Sequence, residues 1–189
     1  MREIDFSKWE VRKLAIKLAK GTEYKRADCV GKLDDEYEIK RIVKKCRGVE
    51  KKVKQKPIAG TLNLALHLPY GIYCGMFDMV RDDLVKGVQG YGMNNIHQDF
   101  SVVCEMYNED EEMMLVAYPQ CVSATGPVTV IENGGEEIVE TELEIALMPD
   151  ENEYFRYEAL PEDIEGNTTI ATQWMTAFTP DLVAKTPNA

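Results

Sequence analysis

Residues 61–68 read TLNLALHL, and this stretch alternates apolar with polar or small side chains without a break. In an extended chain successive side chains point to opposite sides, so all four leucines would share one buried face. The two rows are Leu62, Leu64, Leu66 and Leu68 on one side, and Thr61, Asn63, Ala65 and His67 on the other.

Similar patterns recur on either side of this stretch. Residues 99–107 (DFSVVCEMY) alternate, and residues 113–118 (MMLVAY) form a short apolar run after an acidic turn. Residues 12–19 favour a strand, and Gly21-Thr22 after it predicts a hairpin into the next extended segment. The inward residues of 99–107 would be Phe100, Val102, Cys104 and Met106.

Residues 136–147 (EEIVETELEIAL) put a carboxylate at nearly every second position. As a strand, this segment would have one negatively charged face and one apolar face. The turn signal Asn133-Gly134 separates it from residues 128–132 (VTVIE), which predicts a hairpin. The charged row is Glu136, Glu140, Glu142 and Glu144, and the apolar row is Val139, Leu143, Ile145 and Leu147.

One segment predicts a helix. PYGIYCGMFDMVRDD begins at Pro69, a residue favoured in the first helical turn. The residues at helical spacing, which we expect to pack on the sheet, are Tyr70, Tyr73, Cys74, Phe77 and Val80.

The order of these segments predicts the fold class. Many strands, one helix and more strands favour a mainly β, antiparallel sandwich or barrel-like domain with one flanking helix and an extended β-arm. We expect residues 1–189 to form a single domain, with the basic arm over about 37–59 and a C-terminal tail over about 180–189.

Charge is unevenly distributed along the chain. Residues 1–60 hold 18 Lys and Arg against 10 Asp and Glu, whereas residues 61–189 hold 4 against 23, for a net charge of −11. The stretch from Lys40 to Lys56 contains nine basic residues and one acid, Glu50. We expect two surfaces of opposite sign, through which copies of the chain would attract one another.

Membrane and secreted classes receive no support from the sequence. It contains no apolar run of about 18 residues, which a membrane span requires, and its charged start MREIDFSKWEVRKL does not resemble a signal peptide. The five cysteines are scattered without a CxxC pair, which favours reduced thiols in a cytosol-made protein.

No motif for catalysis or metal binding stands out. GxSxG, HExxH and P-loop patterns are absent. His67 and His97 are interpreted as surface or cap residues, although a Cys–His pair stays open. The acidic turn NEDEE (108–112) lacks the calcium-loop pattern and favours a solvated turn. We expect no enzyme activity, no metal and no cofactor.

The order of segments resembles the major tail protein, or tail tube protein, of long-tailed bacteriophages. The resemblance covers roughly residues 10–182 and depends on the order of segments in GTLNLALHLPYGIYCGMFDM (60–79) and in the run from DFSVVCEMY through AYPQC to ALMPDENEYFRYEAL (99–160). It implies a β-sandwich with a flanking helix, shared with the tubes of contractile tails and type VI secretion. It also implies rings of six copies whose inner sheets join into one barrel, stacked into a tube.

The resemblance further implies partners and location. The chain would bind copies of itself and the tape measure, tail tip and terminator proteins, and it would have no contact with a membrane. It would be made in the host bacterial cytoplasm and end in the virion tail. DNA would pass through without specific binding, because a carboxylate-lined lumen offers none of the Lys and Arg contacts on which sequence-independent binding depends.

Three sets of residues become candidates for these roles. The lumen set is Glu140, Glu142 and Glu144; the alternatives are a solvated edge face, or a lumen lined by Thr61, Asn63 and His67 or by Asp99, Ser101 and Glu105. The arm set, which would meet the acidic surface of residues 105–165 in a neighbouring copy, is Lys40, Arg41, Lys44, Lys45, Arg47, Lys51, Lys52 and Lys54. The subunit-contact set is Trp174, Phe178 and Leu182, with packing of Trp174 in the chain's own core as the alternative.

Other functions stay open at this point. A tail terminator or connector protein of the same fold would form a single ring. Residues 40–56 suit a nucleic-acid-binding module, although they lack interleaved aromatic residues for base stacking. A small hydrolase or metal-dependent enzyme would need a site near His67 or His97.

Overall fold

The computed structural model describes residues 5–131, 133–134, 138–164 and 168–185. Within them the chain is mainly antiparallel β structure, which confirms the predicted fold class. The strands are β1 (Glu10–Leu18), β2 (Lys25–Cys46), β3 (Val49–His67), β4 (Phe100–Tyr107), β5 (Met113–Ser123), β6 (Thr141–Met148) and β7 (Tyr157–Ala159). The helices are α1 (Tyr70–Met76), α2 (Thr168–Ala177) and α3 (Pro180–Val183), with a 3-10 turn at Pro161–Asp163.

The strands close into a flattened barrel. Their order is β4-β1-β2-β3-β6-β5-β7, and β4 also pairs with β5, so six strands form a ring. At two corners the pairing is short: β1 meets β2 only over Leu14–Ile16, and β5 meets β6 only over Gln120–Ser123. The barrel therefore behaves as a sandwich of two sheets. We call β1, β4, β5 and β7 the covered sheet, and β2, β3 and β6 the bare sheet.

The apolar rows identified in the sequence fill the space between the sheets. Leu62, Leu64 and Leu66 of β3 are buried, which explains the alternation of TLNLALHL. The inward row of β4 is buried against them, as is the apolar row of β6. The buried members of these two rows are Phe100, Val102, Cys104 and Met106, and Leu143, Ile145 and Leu147.

Helix α1 covers one end of the barrel rather than lying on the outside of a sheet. Ile72, Met76 and Phe77 enter the core between the sheets. Gly75 lies against Leu18 of β1, and a side chain at this position would collide with that leucine. The glycine that weakens helix propensity therefore permits the close approach of helix and strand.

The expected buried face of this helix is partly wrong. Tyr70 and Val80 are 65% and 66% exposed, although both fit the helical spacing. The helix ends at Met76, and Asp78 adopts a left-handed conformation with φ of 51°, so Val80 no longer continues the same face.

The expected hairpin around Asn133-Gly134 is also not formed as a pair of strands. Gly134 has the positive φ of a turn, but residues 128–131 and 138–140 are not in strands. Strand β6 pairs with β3, which ends at His67, and with β5 only from Ile145 onward, so residues before Thr141 have no strand to pair with. Glu136 lies outside the described residues.

The C-terminal region is more structured than expected. We expected one helix and a tail over residues 180–189, but α2 packs on the outside of the covered sheet and α3 follows it. Leu182 and Val183 of α3 contact the same apolar cluster as α2. Residues 186–189 of the expected tail lie outside the described residues.

Candidate interaction surfaces

The outer face of the covered sheet is closed by the chain's own helix α2. Small and branched residues of β1, β4 and β5 form a shallow apolar surface under the helix. The indole Nε1 of Trp174 donates a hydrogen bond to the carbonyl of Val116 over 3.2 Å, and its ring packs on Phe178 with centroids 4.7 Å apart. The sheet residues beneath them are Ala15, Val103, Leu115 and Ala117.

This packing accounts for the candidate subunit-contact residues. Trp174 and Phe178 are 1% and 2% exposed, and Leu182 is partly buried in the same cluster. The structure thus places Trp174 in the chain's own core, the alternative stated above. A neighbouring copy would reach these side chains only if α2 left its sheet.

One of the alternative lumen rows is also largely covered. Ser101 and Glu105 are buried, and only Asp99 of that row is exposed. The hydroxyls of Ser101 and Tyr24 are hydrogen-bonded at 2.8 Å, and burial raises the pKa of Tyr24 to about 12. Glu105 is paired with Nζ of Lys13 at 3.0 Å. The row is occupied within the chain and does not form an open lining.

The outer face of the bare sheet carries no helix within the described residues, although the loop residues Thr125 and Val128 line a pocket with Asn63, Glu142 and Glu144. Glu142 and Glu144 are exposed there, directly opposite Ala65 and Asn63 of β3. Two of the candidate rows, on β6 and on β3, thus lie side by side. The register adds alternate residues of β2 to the same face. Its carboxylates are Asp34, Glu36, Glu38, Glu140, Glu142 and Glu144, and its lysine is Lys32.

Glu140 reaches this face from the residue just before β6. Its carboxylate lies against Gly31 of β2, and a side chain at position 31 would require that flexible carboxylate to move. The missing side chain of Gly31 therefore makes room for one more negative charge on the outer face. The three candidate lumen residues share one surface.

The bare sheet also has two free edges among the described residues. β1 pairs with β2 no further than Ala27, so residues 29–38 of β2 use only their β3 side. On the opposite edge, β6 pairs with β5 only from Ile145 onward, and the Glu144 carbonyl accepts a hydrogen bond from the Ala124 backbone, so the free part is residues 141–143. Free edges present backbone donors and acceptors that can pair with another chain.

The basic segment continues β2 and β3 beyond the body of the molecule. It forms a two-stranded hairpin closed by Arg47 and Gly48, whose φ angles of 51° and 78° are those of a type I′ turn. We call residues 39–58 the arm. Apart from Val43, which is half-buried, its side chains are exposed.

The register gives the arm two unlike faces. Lys40 lies opposite Lys56 and Lys44 opposite Lys52 on one face, which carries no acid. The other face holds Arg41, which forms an ion pair with Glu50 at 2.5 Å. The lysine face is Lys40, Ile42, Lys44, Cys46, Val49, Lys52, Lys54 and Lys56, and the mixed face is Ile39, Arg41, Val43, Lys45, Glu50, Val53, Gln55 and Pro57. The candidate residues Arg47 and Lys51 lie in the turn and at a bulge.

Ion pairs and aromatic contacts anchor the root of the arm. Arg156 is bound to Asp35 of β2 at 2.5 Å, and its guanidinium lies 5.7 Å from the ring centroid of Tyr37. Burial lowers the pKa of Arg156, but the carboxylates of Asp35 and Glu158 outweigh it and hold that pKa above its usual value. Arg156 therefore holds β2 against the body at Asp35 and Tyr37, just before the arm begins at residue 39.

The histidines and the acidic turn have structural partners. His97 contacts the Ser123 carbonyl through Nδ1 at 2.9 Å and the Tyr91 hydroxyl through Nε2 at 3.0 Å. His67 lies in register with Asp28 on the outer face of the bare sheet. In the acidic turn, the side-chain oxygen of Asn108 accepts hydrogen bonds from the backbone of Asp110 and Glu112. Across the described ranges, no group of three or more potential metal ligands is found.

None of the helices within the described residues has the length and apolar character of a membrane-spanning segment.

No protein family model and no curated protein matches this sequence. Among solved structures, the chain is similar to one titled as the cryo-EM structure of the anti-feeding prophage cap, a tube terminating cap. The identity is 11%, the alignment covers 85% of this chain and 95% of that chain, and the TM-score is 0.35. Likeness at that score does not establish a shared fold, so the functional inference depends on the chain's own surfaces.

Proposed function

We propose that this chain is a structural subunit of a bacteriophage tail, whose copies form rings, six to a ring, that stack into an acidic tube through which DNA passes. The proposal assigns it no catalytic role and no cofactor. The tape measure, tail tip and terminator proteins would be its other partners, and the virion tail its location.

The bare sheet is the observation that carries this proposal. One sheet of the sandwich is closed by α2, whereas the other leaves a carboxylate-rich face open between two free edges. Joining such sheets edge to edge would give a continuous wall with Glu140, Glu142 and Glu144 on one side. A wall of that charge repels phosphate, so DNA would slide along it without being held.

The positive charge of the arm, opposite to that of the acidic body, supports the same proposal. Nine basic residues and one acid lie between Lys40 and Lys56 in a chain whose residues 61–189 are strongly acidic. Directly opposed lysines repel each other in the isolated hairpin, and an acidic neighbour would relieve that repulsion. Contacts of this kind are exposed and should weaken as salt screens them.

Electron microscopy of the purified protein over a range of concentrations, with light scattering on the same samples, tests the proposal. Stacked rings or tubes with a central channel are expected at low salt, and smaller species at about 1 M salt. A single ring that never stacks would instead favour a terminator or connector. A monomer at every concentration that binds DNA at physiological salt would contradict the acidic conduit.

A matched pair of variants separates the arm from charge in general. Lys44→Gln, Lys52→Gln and Lys54→Gln remove three charges from the lysine face, and Lys20→Gln, Lys25→Gln and Lys86→Gln remove three elsewhere. The arm variant should assemble only at higher concentration, and the control should assemble like the wild type. Equal behaviour would show that the arm charge has no role.

The lysine face also fits a second candidate, nucleic-acid binding. Five lysines on one side of a ribbon form the kind of positive stripe that binds phosphates. DNA binding by the wild type, lost in the arm variant but kept in the control, would favour this function over the tube.

A further inference from the structure

Residues 91–98, between α1 and β4, form a loop whose shape is fixed by the side chain of one asparagine. The amide nitrogen of Asn95 donates hydrogen bonds to the carbonyls of Phe77, Asp78 and Gly90 over 3.1, 2.6 and 3.0 Å. Its amide oxygen accepts a hydrogen bond from the backbone of Gly92 over 2.9 Å. A loop held in this way loses little conformational freedom when it binds. We call residues 91–98 the Met93 loop.

Two apolar side chains of the Met93 loop stand out into solvent. Met93 is fully exposed and Ile96 is 78% exposed, whereas His97 of the same loop packs edge-on against the buried ring of Phe77. Neighbouring residues add to the apolar surface. Between residues 80 and 96 the exposed large apolar side chains are Val80, Leu84, Val85, Val88, Tyr91, Met93 and Ile96. Apolar side chains grouped on a surface in this way mark a contact site.

A cleft at the corner between β1 and β2 offers an apolar surface that such side chains could enter. It has a volume of about 420 Å³ and opens where β1, before Leu14, no longer pairs with β2. Trp9 at its mouth is 72% exposed. We call it the Trp9 cleft; its apolar lining is Trp9, Val11, Val30, Leu33 and Met106.

The charged residues that line the Trp9 cleft are already paired within the chain. Each of them has a partner of opposite sign, so an apolar side chain entering the cleft would not strip water from an isolated charge. It would instead shield Trp9 and Leu33 from water. The pairs are Lys8 with Glu158, Glu10 with Arg12, Lys32 with Asp34, and Asp35 with Arg156.

The Met93 loop and the Trp9 cleft lie beside the two free edges of the bare sheet. His97 of the loop contacts the Ser123 carbonyl, at the point where β5 separates from β6 and the free residues 141–143 begin. The cleft is bordered by Val30 and Leu33, which belong to the free stretch of β2. Because β2 and β6 are opposite edges of the bare sheet, each copy has the loop on one side and the cleft on the other.

The two free edges are also at the same height in the sheet. Thr141 of β6 lies opposite Leu66 of β3, and Leu66 lies opposite Val30 of β2. Copies related by rotation about a ring axis share one height, so the β6 edge of one copy would face the β2 edge of the next. The Met93 loop of the first copy would then face the Trp9 cleft of the second.

We propose that Met93 and Ile96 of one copy dock in the Trp9 cleft of the adjacent copy in the ring. This inference rests on the ring proposed above and adds an apolar contact to the joining of the bare sheets. The loop and the cleft are different surfaces, so the contact is heterologous and is complete in every copy only when the ring closes.

Tryptophan fluorescence tests the docking on the unmodified protein. The chain has two tryptophans, of which Trp174 is 1% exposed and Trp9 is largely exposed. Acrylamide therefore quenches Trp9 far more than Trp174 in the free chain. On assembly the quenching constant should fall close to that of Trp9→Phe, in which only Trp174 emits. The quenching constant of Trp9→Phe itself should not change with concentration.

The outcomes separate this inference from the proposed function. Rings or tubes in the microscope in which acrylamide still quenches Trp9 fully would overturn the docking and leave the ring intact. Absence of assembly by microscopy and scattering would overturn both. Protection of Trp9 that appears together with the rings supports the docking.

Disulfide trapping tests which surfaces meet. In a background with the two exposed thiols removed (Cys29→Ser, Cys46→Ser), Met93→Cys and Glu10→Cys place one thiol on the loop and one at the cleft. Mild oxidation should give a ladder on a non-reducing gel that ends at the copy number of one ring. A ladder that continues beyond that number would place the contact between rings and contradict the proposal. Met93→Cys with Gln173→Cys, an exposed position on α2, is the control and should give no ladder.

A matched pair of variants compares the Met93 loop with the turn before it. Met93→Ser with Ile96→Ser alters the docking side chains, and Val85→Ser with Val88→Ser makes similar changes in a turn closed by a hydrogen bond between those two residues. All four side chains are exposed, so circular dichroism should show equal folding. The first pair should raise the concentration needed for half assembly by about tenfold or more, and the second by less than about twofold. Equal effects would contradict docking through the Met93 loop.

Discussion

The two sheets of this molecule have similar interiors but opposite exteriors. On the covered sheet, a group of small and apolar outward residues lies under Trp174 of α2 and under Phe178, which follows the helix. On the bare sheet, the outward residues are mostly charged or polar, and no described helix packs on them. The first exterior is satisfied within the chain, whereas the second is free for contact with solvent or with another molecule.

The difference shows where an apolar or acidic pattern has functional meaning. An aromatic residue near a chain end suggests a subunit contact, yet here it completes the core. A row of glutamates suggests an ordinary solvated strand, yet here it belongs to a face with free edges and a charged arm. Whether another part of the chain packs on a face, rather than the composition of that face, decides if its residues belong to the core or to an open surface.

We expect the largest loss of stability from a substitution that disrupts the packing of α2 on the covered sheet. Trp174→Ala deletes a side chain that is 1% exposed and leaves the Val116 carbonyl without its donor. We expect a loss of about 3–5 kcal/mol in the free energy of unfolding, measured by urea denaturation followed by circular dichroism. Trp9→Ala, at a position 72% exposed, is the control and should change it by less than about 0.5 kcal/mol.

Substitutions on one strand can compare the inside and the outside of the bare sheet. Leu143→Ala should cost about 2–5 kcal/mol because Leu143 is buried between the sheets. Glu144→Gln, on the next residue, should stay within about 0.5 kcal/mol in the monomer. If Glu144→Gln proved as destabilising as Leu143→Ala, the glutamate row would have a role within the chain and not on an open face.

Tyr24, on the covered sheet, should make the free energy of unfolding decline at high pH. Burial raises the pKa of Tyr24 from 10.0 to about 12, so the folded chain holds this proton more tightly than the unfolded chain. Its contribution is full below pH 10 and is lost as pH rises toward 12. In Tyr24→Phe, the decline in the free energy of unfolding between pH 8 and 11.5 should be smaller by about 1–2 kcal/mol, as measured by urea titrations at a series of pH values. An offset that is the same at every pH would contradict this assignment.

The smallest effect concerns an ion pair on the rim of the covered sheet. Hydrogen bonds from Arg12 hold the pKa of Glu111 below its usual value, so this pair adds stability that disappears as pH falls through that lowered pKa. Arg12→Gln should return the Glu111 pKa to its ordinary range in a carboxyl NMR titration. Arg12→Lys is the matched control and should restore only part of the downward shift, because lysine lacks the two-pronged contact.

Alternation was a sufficient guide to the strands of the body. Each residue of β3, β4 and β6 faces either the core or the outside, so the periodicity of Leu62 to Leu66 and of Leu143 to Leu147 records burial directly. The basic arm was equally visible from its composition. Its division into two faces was not, because the register that pairs Lys40 with Lys56 depends on the turn at Arg47-Gly48 and on bulges.

Helix α2 was missed although its signal is present. Ile170, Trp174 and Phe178 are spaced by four residues, as expected for one face of a helix. The expected hairpin at residues 128–147 was wrong because residues 128–131 form no strand, and β3, which pairs with β6, ends at His67. The groove between Tyr70, Tyr73 and residues 128–142 combines segments that are about 60 residues apart, which no local pattern reveals.

The two-residue turn at Arg47-Gly48 makes the arm sensitive to the parity of its length. One residue inserted into either strand would send every side chain between the insertion and the turn to the opposite face. Lysines would then occupy the side that held Val43 or Val53, although composition and net charge would hardly change. In related chains whose arm differs in length by an odd number of residues, the two faces of the arm would be exchanged. Such chains would be incompatible partners, so arm length would determine which subunits assemble together.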